Sequence, residues 1–264
     1  MKLKNLFKVL AAVSVFSFAA HSVAADNLEL LAPGKLKVAT MGTYPPFSMR
    51  SPNGQIDGLE IRVMKEIAKR LNLEYTPVLI QWDSLLVALQ ANQFDLSSTA
   101  MDITPARQQQ IIFSDGWLES GGRILIPKGS DIKSAADLKG RKVGAQVSST
   151  YSALAEQHGG VVKSYKSESD TIQDLANHNV DAVITDSITG AYLIKNVGLP
   201  ISMTDDYVNE VQKGFAFKKG KPNLVAAVNK ALADMRADGT YARLTTELIG
   251  YDPAPKEPIK SFAQ

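Results

Sequence analysis

Short apolar runs that read as strands alternate with segments of helical periodicity along nearly all of this 264-residue chain, and that alternation constrains its fold more than any other feature. Spacing predicts strands over 36–40, 74–80, 94–98, 123–126, 142–146, 161–165, 181–185 and 215–217. Helices are predicted between them over 61–71, 84–91, 134–138, 151–158, 171–177, 187–197, 223–237 and 241–248. In the first helix Ile61, Met64, Ile67, Ala68 and Leu71 share a buried face, leaving Arg62, Lys65, Glu66 and Lys69 toward water. Such alternation argues for mostly parallel sheets with helices on both faces. No repeat, low-complexity tract or flexible linker interrupts it, so two α/β lobes would have to be joined by a chain that crosses between them more than once. The segment 251–264 has little periodicity and reads as an extended surface stretch.

The first residues bear on compartment. Lys2, Lys4 and Lys8 form a basic start, Leu6 to Ala20 is apolar or small, and Val23-Ala24-Ala25 supplies small residues ahead of Asp26. This is the grammar of a cleaved secretory signal, here expected to occupy residues 1–25. The alternative is an N-terminal anchor, but the apolar run falls short of the roughly 20 residues a spanning helix needs. A chain starting at Asp26 carries 26 basic residues against 27 acidic ones, a near-neutral balance without basic blocks. That gives no electrostatic case for nucleic acid or anionic membranes. The sequence has no cysteine, which excludes disulfides, thiol catalysis, cysteine metal sites and a lipidated N-terminal cysteine. The expected product is soluble in the periplasm, with no direct membrane insertion after signal cleavage.

Three local patterns carry chemistry. In Ile103-Thr104-Pro105-Ala106-Arg107, Thr104 can cap a helix and Pro105 suits its first turn. Arg107 would then project beside free N–H groups, an arrangement suited to a carboxylate, although a surface arginine on a capped helix reads the same way. In Gly144 to Thr150 a strand runs into small hydroxyl residues and then a helix, a donor-rich turn or an ordinary cap by Ser149 or Thr150. Asp186 closes an apolar strand at the edge where ligands bind in parallel α/β sheets, or caps the following helix. Tyr44 and Trp82 each follow a predicted strand, where an aromatic packs in the core or walls a pocket. An arginine, a donor turn, an acid and aromatic walls would together suit a zwitterion.

With these segments in order, the sequence resembles the amino-acid-binding group of periplasmic solute-binding proteins that includes lysine/arginine/ornithine, histidine and glutamine binders. The resemblance is carried by Thr43-Tyr44-Pro45-Pro46-Phe47, Gly58-Leu59-Glu60-Ile61, Trp82-Asp83-Ser84-Leu85, and Met101 to Arg107 followed by Phe113-Ser114. Leu138 to Gly144, Asp181 to Asp186, Asn229 to Leu232 and Asp238 to Tyr241 continue it over nearly all of the chain after the signal. It implies a two-lobed flytrap α/β fold, each lobe a mostly parallel sheet flanked by helices, with two crossover strands as hinge. Lobe 1 would be 26–118 with 212–264, and lobe 2 would be 119–211. The implied ligand site comprises Tyr44, Trp82, Thr99, Ala100, Asp102, Arg107, Ser149, Thr150 and Asp186. Within it Arg107, Thr99, Ser149 and Thr150 take an α-carboxylate, Asp186 takes the ammonium, and Tyr44 and Trp82 sandwich the side chain. The implied partners are a free amino acid, polar or basic, and an inner-membrane ABC permease, with the protein a monomer and no cofactor, metal or catalytic group.

Three positions depart from the family pattern. Arg62 replaces a usual acid on an exposed helix face, Ser148 replaces a usual glycine in the second-lobe turn, and Met41 stands where several binders carry an acid. Asp102 pulls toward arginine binders with a similar Met-Asp-Ile-Thr-Pro stretch. An enzyme on the same scaffold, similar to cyclohexadienyl dehydratase, is the alternative, with Asp102 or Asp186 in acid–base roles. No histidine falls in a motif: His158 and His178 lie at polar helix ends, and His21 belongs to the signal.

Overall fold

The computed structural model describes residues 28–51 and 53–262, so the expected signal segment lies outside the described residues. Strand β1 (Lys35–Thr40) is the centre of the first wing. The next strands, β2 (Thr43–Tyr44), β3 (Ser48–Arg50) and β4 (Ile56–Asp57), form a small antiparallel sheet beside it, with no counterpart in the predicted strands. Helix α1 (Leu59–Arg70) buries Leu59, Ile61, Val63, Met64, Ile67 and Ala68. Lys65 and Lys69 stay exposed, while Arg62 is half-buried and paired with Asp57 at 2.8 Å, well away from the cleft. Then come β5 (Glu74–Leu79), α2 (Trp82–Gln90) and β6 (Leu96–Asp102). β1 runs parallel to both β5 and β6, and the chain later returns to add an antiparallel strand beside β6, with Lys213 opposite Asp102, so the first-wing sheet is mostly parallel.

A short helix, α3 (Pro105–Gln108), and β7 (Ile112–Phe113) lead into β8 (Leu118–Pro127), which crosses to the second wing. There the chain forms a 3-10 turn over Ala135–Leu138, β9 (Lys142–Gln146), α4 (Thr150–Gln157), β10 (Val161–Tyr165), α5 (Glu168–Ala176) and β11 (Ala182–Asp186). β9 pairs in parallel with β10 and β11. Helix α6 (Ser187–Tyr192) runs into a π turn over Leu193–Val197, and β12 (Ile201–Met203) pairs with β8. β13 (Asn209–Phe217) returns the chain, followed by α7 (Pro222–Ala237) and α8 (Thr240–Ile249).

The two crossings lie side by side. β8 and β13 pair antiparallel from Asn209 opposite Gly122 to Lys213 opposite Leu118. Gly121 permits this close approach, since a Cβ there would come within 2.0 Å of the Asn209 carbonyl oxygen. Both strands exceed the predicted runs, because a crossing strand changes its surroundings midway and loses a single hydrophobic pattern. Each wing keeps its own core. The first packs α1, α7 and α8 around Phe47, Trp117 and Phe215, with the Trp117 and Phe215 rings stacked at 5.0 Å. The second packs Ile124, Ile126, Leu138, Val143, Ala182 and Ile184 on one face of its sheet, with Leu125, Ile172, Leu175 and Val183 on the other. Segment 251–262 is extended, as expected, but it is tied down. Glu119 N–H donates to the Pro253 carbonyl at 2.9 Å, and Gly116 N–H to that of Ile259 at 2.8 Å. The Gln212 side chain donates to the Glu257 carbonyl at 2.9 Å and accepts from Ile259 N–H at 2.8 Å.

Candidate functional site

A narrow cleft opens between the wings, floored by the crossover strands. On the first-wing side Thr104 caps α3 as its sequence suggests, its hydroxyl accepting from Arg107 N–H at 3.3 Å. That cap aims the Arg107 side chain back over the cleft. One Nη donates to the Asp102 carbonyl at 3.0 Å, and the guanidinium lies 5.2 Å from the centre of the Trp82 ring. Arg107 and Trp82 are both half-buried, so the fork is held on an aromatic face without being sealed. Thr99 is buried, its hydroxyl 2.8 Å from that of Ser97. Ala100 has φ +49°, in the left-handed region that a residue with a Cβ rarely adopts. Tyr44 is buried beside Phe47, their ring centres 4.9 Å apart.

On the second-wing side the turn after β9 starts α4. Ser149 is its cap, donating to the Gln146 carbonyl at 2.6 Å and accepting from Ser152 N–H at 3.1 Å. Ser148, in place of the family's glycine, takes the glycine-like conformation with φ +57°. Ala100, in the cleft lining, and Ser148, in the turn before α4, are thus non-glycine residues with positive φ, one on each wing. The wings touch across it. Thr150 Oγ1 donates to Asp102 Oδ2, Ser169 Oγ donates to the Thr43 carbonyl at 3.1 Å, and Gln146 Nε2 lies 3.9 Å from Met41 Sδ.

The floor holds a charged group that no sequence pattern suggested. Lys213, on crossover strand β13, is fully buried. Its ammonium donates to Asp102 Oδ1 at 2.5 Å and the Tyr151 hydroxyl at 3.3 Å, and lies 3.0 Å from Asp186 Oδ2 as an ion pair. Asp186 is equally committed. Oδ2 also accepts from Ser120 Oγ at 2.6 Å and Tyr151 OH at 3.1 Å, and Oδ1 accepts from Ile188 N–H at 2.9 Å as the cap of α6. Three of these four contacts converge on Oδ2, while Oδ1 holds the α6 backbone alone. Burial alone would raise Asp102, but the Lys213 ammonium, the Thr150 hydroxyl and Arg107 outweigh it and hold the carboxyl below its usual range. Burial alone would lower Lys213, and its two carboxylates reverse that.

Of the residues expected from sequence, Tyr44, Trp82, Thr99, Ala100, Asp102, Arg107, Ser149 and Thr150 line one cleft, together with Gln146, Tyr151, Glu168 and Lys213. Asp186 stands behind that lining, fully buried. Sequence reasoning missed Lys213 and Glu168, and Tyr151 with them. The first lies just ahead of the expected 215–217 strand, where nothing in the sequence marks it as buried. Glu168, the first residue of α5, looks like any acid in a helix's first turn.

A cleft between two lobes joined by paired crossover strands, with an arginine fork on one wall and a hydroxyl-rich helix start on the other, defines a two-lobed solute-binding protein. The chain belongs to the bacterial extracellular solute-binding proteins, family 3, whose pattern matches residues 36–251. It is 31% identical to the L-cystine-binding protein TcyJ of Escherichia coli over 253 residues, covering 94% of this chain and 95% of that one. It is also 31% identical to the histidine-binding periplasmic protein of Salmonella typhimurium over 262 residues, covering 95% and 98%. Among solved structures, an ancestral arginine-binding protein bound to glutamine superposes with a TM-score of 0.78 at 35% identity, over 83% of this chain and 99% of that one.

Proposed function

We propose that this protein captures a free polar or basic amino acid in the periplasm and presents it, closed, to an inner-membrane ABC permease. The observation that carries the reading is Arg107, held by a capped helix start and by Trp82 at the mouth of an interlobe cleft. Its free N–H groups suit two parallel bonds to an α-carboxylate, with Thr99 and the Ser149–Thr150 helix start supplying further donors. Tyr44 and Trp82 offer apolar faces to a ligand side chain. The names of the relatives support an amino-acid ligand and a periplasmic setting. The moving bodies are 26–118 with 212–264, and 119–211, in a monomer released by cleavage after Ala25. N-terminal sequencing of the exported protein should begin at Asp26.

Binding rather than catalysis is favoured by the relatives, which are binding proteins, and by the state of Asp102 and Asp186. Both acids that the dehydratase-like alternative would use are ion-paired with Lys213. A thermal-shift screen of the common amino acids tests the reading. A ligand at 100 times its dissociation constant adds about 2.7 kcal/mol, or a rise of roughly 5–10 °C for a protein of this size. Failure of every amino acid to move the transition would reject it.

A further inference from the structure

An amino acid placed with its carboxylate on Arg107 brings at least one cation into the cleft, and that cation needs an acceptor. Asp186, the expected one, is already shared among Ser120, Tyr151, Lys213 and Ile188, three of them on the same oxygen. Asp102 is held by Lys213 and Thr150. Glu168 differs from both. It lines the same cleft, only 2% of its surface is exposed, and its Oε1 is buried without a hydrogen-bond partner. Nor does it cap its helix, since Ser167 accepts from Asp170 N–H at 3.1 Å to start α5.

We propose that Glu168 is a specificity-determining carboxylate that receives a cationic group of the ligand. An unsatisfied buried carboxyl is costly, and a cation delivered by a ligand from the opposite lobe removes the cost only when the cleft closes. Burial, reinforced by the Asp186 charge, pushes Glu168 up to about 7, against the opposing pull of the Thr185 hydroxyl and Lys213. An arriving cation would therefore favour the ionised form. With Arg107 on one lobe and Glu168 on the other, the site selects solutes that carry both signs. The cation is the α-ammonium or a basic side chain, and the two are separable.

The inference rests on the amino-acid reading, and the test keeps the two apart. Calorimetry would compare wild type, Glu168→Gln and Arg107→Ala against arginine, lysine, histidine, glutamine and cystine. The tightest binder would be followed by its 2-hydroxy acid analogue and, where its side chain is basic, by a side-chain-neutral analogue. Because a raised Glu168 is already accommodated uncharged, glutamine should leave the fold intact. Charge-assisted contacts predict a roughly ten- to hundredfold loss for Glu168→Gln. That loss should vanish for the one analogue lacking the contacted cation, which identifies its source. If Glu168→Gln stays within threefold of wild type while Arg107→Ala does not bind, the inference is overturned and the amino-acid reading stands. Equal losses for every analogue would make Glu168 merely structural and overturn it too. If no amino acid binds wild type, both fall.

Discussion

At the floor of the cleft Lys213 sits between Asp102 and Asp186 with both carboxylates ion-paired, whereas on its second-lobe wall Glu168 is just as buried and leaves Oε1 without a partner. The floor lies on the crossover strand and contacts both lobes, so its charges must be balanced whether or not a solute is present. The wall can leave its charge unbalanced, because the solute supplies the partner. A binding protein built this way keeps stability and selectivity in separate carboxylates, although both kinds lie within one cleft.

The strongest way to break that division is Lys213→Met. It strands two buried carboxylates, and losing one side of a buried ion pair costs about 3–5 kcal/mol, which lowers the melting temperature by roughly 6–20 °C. The triple variant Asp102→Asn, Lys213→Met, Asp186→Asn should recover much of that loss. A single Lys213→Met melting like wild type would show that the floor is not structural. Asp186→Asn alone should also lower stability rather than sort ligands by charge, since its contacts are with Ser120, Tyr151, Lys213 and the α6 backbone.

Next in size is Arg107→Ala, expected to weaken amino-acid binding by about 2–5 kcal/mol, or roughly thirtyfold to several-thousandfold. Its melting temperature without ligand should hold, since the arginine's own contacts are a carbonyl and an aromatic face. Calorimetry showing less than a threefold change would remove it from the site.

Glu60 sharpens the comparison from outside the cleft. It is fully buried, accepts from Thr40 Oγ1 at 2.6 Å through Oε1, and leaves Oε2 unpartnered. Burial pushes it up to about 8, against the hydroxyls of Thr40, Ser48 and Ser98. Its folded value thus exceeds the ordinary 4.5, so the folded protein holds that proton more tightly than the unfolded chain. The stability this contributes is complete below pH 4.5 and is lost as pH rises through about 8. Glu168 behaves alike up to about 7. Glu60→Gln should therefore flatten the fall in melting temperature between pH 5 and 8.5, with a gain of about 1–3 kcal/mol at the alkaline end. Ligand should leave the Glu60 part of that slope unchanged and reduce the Glu168 part. A wild-type profile without slope would mean that neither carboxyl is raised.

The smallest effect is one of shape. A solute gripped by both lobes stabilises the closed form in proportion to its differential affinity for it. X-ray scattering should show a small fall in radius of gyration on adding ligand, blunted by Arg107→Ala and by Glu168→Gln. Superimposable curves despite tight binding would point to a pocket within one lobe.

Much of this was legible in advance, for physical reasons. β9 and β10 fall where strand spacing put them, because each is a short run bounded by turns. The Thr104 cap and Arg107 could be read locally, since a helix start is a local object. The small sheet of β2, β3 and β4 could not, because runs of two or three residues carry no periodicity. Asp186 was read as two alternatives, acid at a strand end or helix cap. It is both, closing β11 and capping α6, and its other partners come from Ser120, Tyr151 and Lys213, which are distant in sequence. Glu168 was missed because an unpaired side chain is defined by what does not surround it, and one sequence does not list a residue's neighbours in space.

The segment fastened at Pro253, Glu257 and Ile259 has a practical side. It lies against Gly116, Glu119 and Gln212, at the roots of both crossings, so flexing there must be felt along it. A fluorophore carried near Phe262, whose surface is 72% exposed, would sit beside the pivot rather than at a remote end. Such a label could signal capture optically without touching the cleft, and a bulky fusion at the same place would act as a brake on the hinge.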